Sequence, residues 1–162
     1  MTSRLREFER IVRNAARFTE AGPRETTEHP FDARDIHTAL PSNVRKLFDN
    51  GHYAQATFEA FKFLDNEVKR HAGVDKTGKA LMMEALREAS PLVQLTPLAN
   101  ETDRSEQEGY KFIFAGSMMA IRNPRGHEHA ITDDLATCLD HLGLVSLLLR
   151  RLGQAGYAAP GA

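Results

Sequence analysis

The sequence is constrained first by what it has little of. It holds a single cysteine, Cys138, so no intramolecular disulfide can form, and a reducing compartment is expected. Charge nearly cancels, with a formal net value of −1 at pH 7, so no global field marks a nucleic-acid binder and any such role needs a local basic patch. The longest apolar run, Leu142 to Leu149, contains Ser146 and is far too short to span a membrane. The opening residues, Met1-Thr-Ser-Arg-Leu-Arg-Glu7, are charged and lack the apolar core of a signal peptide, so a cytoplasmic protein is expected. There is no Cys-x-x-Cys pair, no Gly-rich phosphate loop and no Gly-x-Ser-x-Gly elbow, which removes several common enzyme classes. No segment alternates with period two, so the 162 residues are expected to form an all-α bundle with one sizeable core.

What is present is helical periodicity interrupted by clear punctuation. Residues 3–20 carry a narrow apolar stripe, and residues 21–34, with Gly22, Pro23 and Pro30, read as a linker. A domain is therefore expected over 35–152, preceded by this helical arm (1–34) and followed by a flexible Gly/Ala/Pro tail (153–162). Within it, Asp35 to Leu40 suggests a short helix, and Ser42 an N-cap for a second one closed by Asn50-Gly51. Ala54, Phe58, Phe61, Leu64 and Val68 share one face of a long helix from about His52 to His71. Asp65 falls inside that stripe, where a carboxylate is costly unless paired. It is either a structural partner or a group that orients a functional Arg or His. A helix over Lys79–Ala89 follows, then an irregular connection to a capping box at Ser105-Glu-Gln-Glu108. The helix after that box has Tyr110, Ile113, Phe114, Ser117 and Ile121 inward. Gly109, Gly116 and Ala120 form a smooth strip beside them, suited to close approach of another helix within the subunit or across a dimer. Phe112 and Met119 on the other side suggest burial on more than one face. Thr132 is a candidate cap for a last, strongly apolar helix through Leu149.

Chemistry concentrates in Ile121-Arg-Asn-Pro-Arg-Gly-His127-Glu-His129. On an unbroken helix, Arg122 and His127 would diverge by about 140°. Pro124 disfavours the helical conformation for Asn123, so a break is expected at Arg122 that lets both side chains turn to one point. A histidine is suited to moving protons near neutral pH, and an arginine fork is suited to a phosphate. RNA supplies its own 2′-hydroxyl nucleophile, so cleavage of this kind requires no metal or other cofactor, although the 5′ leaving oxygen must also gain a proton. Arg-x4-His alone also occurs by chance. A metal reading arises from His127-x-His129 with Glu128, Asp133 and Asp134 nearby, but no third ligand is placed convincingly.

The motifs together resemble the HEPN superfamily, whose ribonucleases carry Arg-x4–6-His with a polar residue directly after the Arg, as Arg122, Asn123 and His127 do here. More narrowly, the chain is similar to the Ymh-like family of bacterial and phage proteins. The stretches that carry this are Gly51-His-Tyr-Ala-Gln-Ala56, Phe58-Glu-Ala-Phe-Lys62, Ser105-Glu-Gln-Glu-Gly109, Phe114-Ala-Gly116, Ile121-Arg-Asn-Pro124 with His127-Glu128, and Leu147-Leu-Leu-Arg-Arg-Leu152. The resemblance implies a HEPN-like helical bundle and a homodimer with both motifs in one composite cleft. It also implies metal-independent endoribonuclease activity, on tRNA or another RNA, in a toxin or phage-defence setting with an antitoxin or defence-system partner. Arg122, His127 and Asn123 would be the catalytic group. Asp65 and Lys69 match an acidic residue followed four positions later by Lys in some members and would support it. Lys62, Arg70 and Arg125 are candidate RNA contacts. Members silenced by nucleotide transfer carry Tyr two positions after the motif His; here that position is His129, so this control is not implied. The alternative is a non-catalytic HEPN-type module that binds RNA or protein.

Overall fold

The computed structural model describes residues 28–128 and 131–159. The arm helix expected over 3–20, and the first half of the linker after it (21–27), lie outside the described residues. The chain divides into two compact units, Met1–Pro30 and Phe31–Ala162, a boundary four residues before the expected one. All regular structure among the described residues is helical. The helices are α1 (Pro30–Ala33), α2 (Ser42–Asp49), α3 (Tyr53–Ala72), α4 (Gly78–Ala85), α5 (Glu101–Ser117), a π-turn (Met118–Arg122), α6 (Asn123–His127) and α7 (Leu135–Gln154). None is long and apolar enough to cross a membrane.

The organising element is α3, which packs against α2, α4, the π-turn, α6 and α7. Its apolar stripe explains this: Ala60, Phe61, Leu64 and Val68 are fully buried. They meet Leu81, Met82 and Leu86 near α4, Phe114 of α5, Met118 of the π-turn, and Cys138, Leu142, Val145 and Leu148 of α7 in one core. The helix ends at Gly73, which takes φ +65°, a left-handed conformation that costs a glycine little, and returns its N–H to the Lys69 carbonyl. The Cys138 thiol sits in this core, 3.6 Å from the Thr57 hydroxyl that donates to it, and burial pushes its pKa up to about 11.

Several expected boundaries move, each for a local reason. Residues 35–40 form turns rather than a helix, because Asp35 sits at φ +48° and the His37 N–H donates to Ser146 Oγ on α7 at 2.9 Å. Ser42 is the first residue of α2, not its cap. The helix expected to reach Ala89 stops at Ala85, and the irregular chain after it is held by one buried side chain. Gln107 Oε1 accepts from Leu95 N at 2.7 Å, and its amide donates to the Val93 and Leu86 carbonyls at 3.1 and 3.3 Å. The capping box lies five residues earlier than expected: Asn100 Oδ1 accepts from Asp103 N, and Asp103 Oδ2 from Ala99 N. Ser105 is thus mid-helix. Asp134, not Thr132, caps α7 by accepting from Thr137 N at 2.7 Å. Past Gln154, the expected loose tail is held as far as Ala158. The Tyr157 hydroxyl accepts from Gln94 N, its ring meets His71 edge-on, and Arg70 donates to the Ala158 carbonyl.

The outer side of α5 also differs from expectation. Phe114 and Ser117 are buried, but Phe112, Ile113 and Met119 are exposed, as are Gly109, Gly116 and Ala120. A Cβ built on Gly109 or Gly116 would meet nothing within 4 Å, so no helix of the described chain uses the smooth strip. The result is an apolar face repeating at helical spacing and running directly into the Arg122 segment.

Candidate functional site

The site begins with how the chain passes Pro124. The proline has no amide hydrogen, and its ring crowds the carbonyl four residues earlier. Asn123 nevertheless stays helical, at φ −64° and ψ −45°, so the expected break does not occur. The strain is absorbed upstream by widening one turn: Met118–Arg122 is π-helical, and the Asn123 N–H reaches back five residues to the Met118 carbonyl. The helix then resumes with Pro124 in its first turn, where its missing N–H matters least.

Arg122 closes the wide turn. Its guanidinium carbon lies 5.5 Å from the centroid of the Phe58 ring on α3, and Nη1 donates to Asn123 Oδ1 at 3.2 Å. Its Nε is buried without a hydrogen-bond partner among the described residues. Phe58 also sets the path of α6. A Cβ added at Gly126 would stand 2.7 Å from Phe58 Cε2, so only glycine lets α6 lie this close to α3. One aromatic ring therefore positions both the arginine and the turn that carries His127.

His127 is the last residue of α6 and is exposed. No hydrogen bond or ion pair joins it to Arg122 among the described residues, so within one chain the two share a helical run without bonding to each other. His129 lies outside the described residues.

Asp65 is buried, and its Oδ1 accepts from Gly78 N at 2.7 Å, which anchors the start of α4. Burial raises its carboxyl above the ordinary value, while the Gly78 bond, Arg122 and then Lys69 pull it down. Both readings of this residue thus have a physical basis: it is a structural acceptor, and its charge faces Arg122.

The other basic candidates are occupied. Lys62 pairs with Glu59 at 3.2 Å, Lys69 with Asp75 at 2.5 Å, and Arg70 with the buried Glu67 at 2.6 Å. Arg125, expected to meet RNA, instead forms a two-pronged ion pair with Asp133 at 2.6 and 2.5 Å and donates to the Ile121 carbonyl at 2.9 Å. The two side chains are only 9 % and 4 % exposed, so this pair ties α6 to the approach to α7 rather than facing solvent. Behind it, His141 Nδ1 is 3.8 Å from Asp133 Oδ2. Burial first and Arg125 second hold the His141 imidazole below its ordinary pKa, against the pull of Asp133 and Asp140. Of Lys62, Lys69, Arg70, Arg122 and Arg125, only Arg122 has no carboxylate partner among the described residues.

The same commitments bear on the metal reading. Asp133 is used by Arg125 and Asp134 by the cap of α7, and no cluster of three or more His, Cys, Asp or Glu suited to a metal occurs among the described residues. Sequence reasoning missed Gly126 and the Arg125–Asp133 pair. The first had only its place inside the motif as a signal, and the second is an ordinary Arg and Asp eight positions apart.

Comparison with known proteins adds one match. The model of a family described as "Protein of unknown function (Hypoth_ymh)" matches residues 34–152. No curated protein and no solved structure matches the chain.

Proposed function

The chain belongs to the Hypoth_ymh family, and from that premise we propose that it is a metal-independent endoribonuclease of HEPN type built around Arg122 and His127. The observation that carries the reading is the uncommitted guanidinium of Arg122. It is half-buried, seated on Phe58, steadied by Asn123 and free of any carboxylate among the described residues, where its basic neighbours are neutralised. A cation held this way is suited to charge that develops on a phosphate during reaction.

In the proposed step, the imidazole of His127 takes the proton from a ribose 2′-hydroxyl. The 2′ oxygen attacks phosphorus, the bond to the 5′ oxygen breaks, and that oxygen gains a proton. The products are a 2′,3′-cyclic phosphate and a 5′-hydroxyl. Arg122 stabilises the extra charge on the phosphoryl oxygens, and Asn123 orients the arginine. Asp65 supports Arg122 electrostatically through space, and Lys69, paired with Asp75, contributes only at longer range.

A homodimer completes the site in this reading. The exposed face of Gly109, Phe112, Ile113, Gly116, Met119 and Ala120 would pair with its copy and bring two Arg122 segments side by side. The second imidazole is then available to protonate the leaving oxygen. A role as a toxin or phage-defence effector, with an antitoxin or other partner, follows from the HEPN resemblance.

The test is cleavage of single-stranded RNA and tRNA in EDTA, with the ends analysed for 2′,3′-cyclic phosphate. Arg122→Ala and His127→Ala should each lower cleavage by roughly 10²–10⁴-fold with melting little changed. One observation favours a second reading, a non-catalytic RNA- or protein-binding module: His127 is exposed and no side chain among the described residues orients its imidazole. RNA binding by the wild type without cleavage would decide for that reading.

A further inference from the structure

Beside the Arg122 seat lies an open cleft of about 460 Å³, lined by Asn43, Leu47, Gln55, Phe58, Glu59 and Arg125. Its chemistry differs from that of the arginine. Arg125 is already paired with Asp133 and Lys62 with Glu59, so the cleft offers a phosphate no unpaired cation. Leu47 and the Phe58 ring give it an apolar, π-bearing wall. Asn43 and Gln55 are exposed and their amides make no hydrogen bond to the described residues, which leaves donors and acceptors uncommitted at its rim. Glu59 accepts from Lys62 at 3.2 and 3.4 Å, yet a carboxylate has about four acceptor sites, so capacity remains.

A flat aromatic wall, two free amides and a carboxylate suit a planar neutral ring with N–H donors at its edge. The same Phe58 ring that walls the cleft seats Arg122. A phosphate on Arg122 would therefore have its attached nucleoside beside this cleft.

We propose that the cleft is a nucleobase subsite that receives one unstacked base of single-stranded RNA, with preference for guanine. Guanine presents two adjacent N–H donors, the N1–H and the 2-amino group, to a single carboxylate, Glu59. Gln55 and Asn43 read the remaining edge, and Phe58 supplies the stacking surface. Uracil has one ring N–H flanked by two carbonyls, which a carboxylate repels. The proposal rests on the RNA-directed reading of Arg122 and adds to it the selection of the base.

The experiment uses the full chain carrying His127→Ala, so that RNA is not consumed during titration. Two labelled single-stranded oligoribonucleotides are compared by fluorescence anisotropy, one all uridine and one with a central guanosine. The guanosine oligonucleotide should bind about tenfold more tightly, and Glu59→Gln or Asn43→Ala/Gln55→Ala should reduce the difference to about twofold or less. These positions are exposed or half-buried, so melting curves should stay superimposable and a lost preference cannot be ascribed to unfolding. Equal affinity for the two oligonucleotides, or a preference untouched by these variants, overturns the subsite. Cleavage by the wild type would leave the nuclease reading standing in that case. Conversely, a Glu59-dependent preference without cleavage by the wild type supports the subsite and overturns the nuclease. Binding of neither oligonucleotide overturns the subsite, and wild-type failure to cut any RNA then removes the nuclease reading with it.

Discussion

Asp133→Ala should be among the most destabilising single changes in the chain, although Asp133 lies outside any helix. Its carboxylate accepts two charge-assisted bonds from Arg125 at 2.6 and 2.5 Å, with the side chains 9 % and 4 % exposed. Removing the acid leaves a largely buried guanidinium with only the Ile121 carbonyl as partner among the described residues. Breaking a buried pair in this way costs about 3–5 kcal/mol, which for a domain of this size lowers the melting temperature by roughly 10–20 °C. Arg125→Met/Asp133→Leu removes both charges and should recover most of the loss, because the desolvation cost goes with the pair. Urea denaturation of wild type, Arg125→Met, Asp133→Leu and the double variant gives the coupling directly. Asp133→Ala within about 1 kcal/mol of wild type, or strictly additive singles, would refute the structural role given to Arg125. Arg122→Ala is the contrast: it loses chiefly a cation–π contact, worth about 1 kcal/mol, so two arginines three residues apart should separate cleanly into a scaffold and a free cation.

Three further outcomes follow from the same contacts. Gly126→Ala places a methyl 2.7 Å from Phe58, and should cost about 1–3 kcal/mol in urea denaturation and disturb the seat of Arg122. Gln107→Leu leaves the Leu95 N–H and the Val93 and Leu86 carbonyls without their side-chain partner; a loss of roughly 2–4 kcal/mol, with faster hydrogen exchange over residues 86–98, is expected. Asp65 titrates with a sign opposite to that of a salt-bridged carboxylate. Because burial raises its folded-state pKa, its charge opposes folding above that raised value, and the penalty is relieved as pH falls through it toward the ordinary carboxylate range. Asp65→Asn keeps an acceptor for Gly78 and removes the titration. Its stability relative to wild type should therefore decline as pH is lowered through that window, and a difference that does not vary with pH would count against the assignment.

The sequence by itself determined the helical class and the inward face of α3 from Phe61 to Val68, and it marked the dense run of polar and titratable side chains from Arg122 to His127. These follow from periodicities and punctuation that act over a few residues. It also marked Asp65 as a carboxylate needing a partner, because an acid inside an apolar stripe is anomalous wherever the helix packs. Tertiary structure alone decided what each polar group was used for. Arg122 and Arg125 are chemically alike and three residues apart, but only the second finds a carboxylate, brought to it by the chain turning back before α7. Helix ends moved for the same reason: Asn100 and Ser105 are both acceptable caps, and the helix is capped at Asn100, where Asp103 also accepts from Ala99 N. Pro124 shows the limit most clearly. Its local preference argued for a break after Arg122, but the packing of Gly126 against Phe58 favoured keeping the helix. The conflict was resolved one turn earlier as a π-turn, which places Arg122 on the Phe58 ring and leaves His127 exposed at the end of α6.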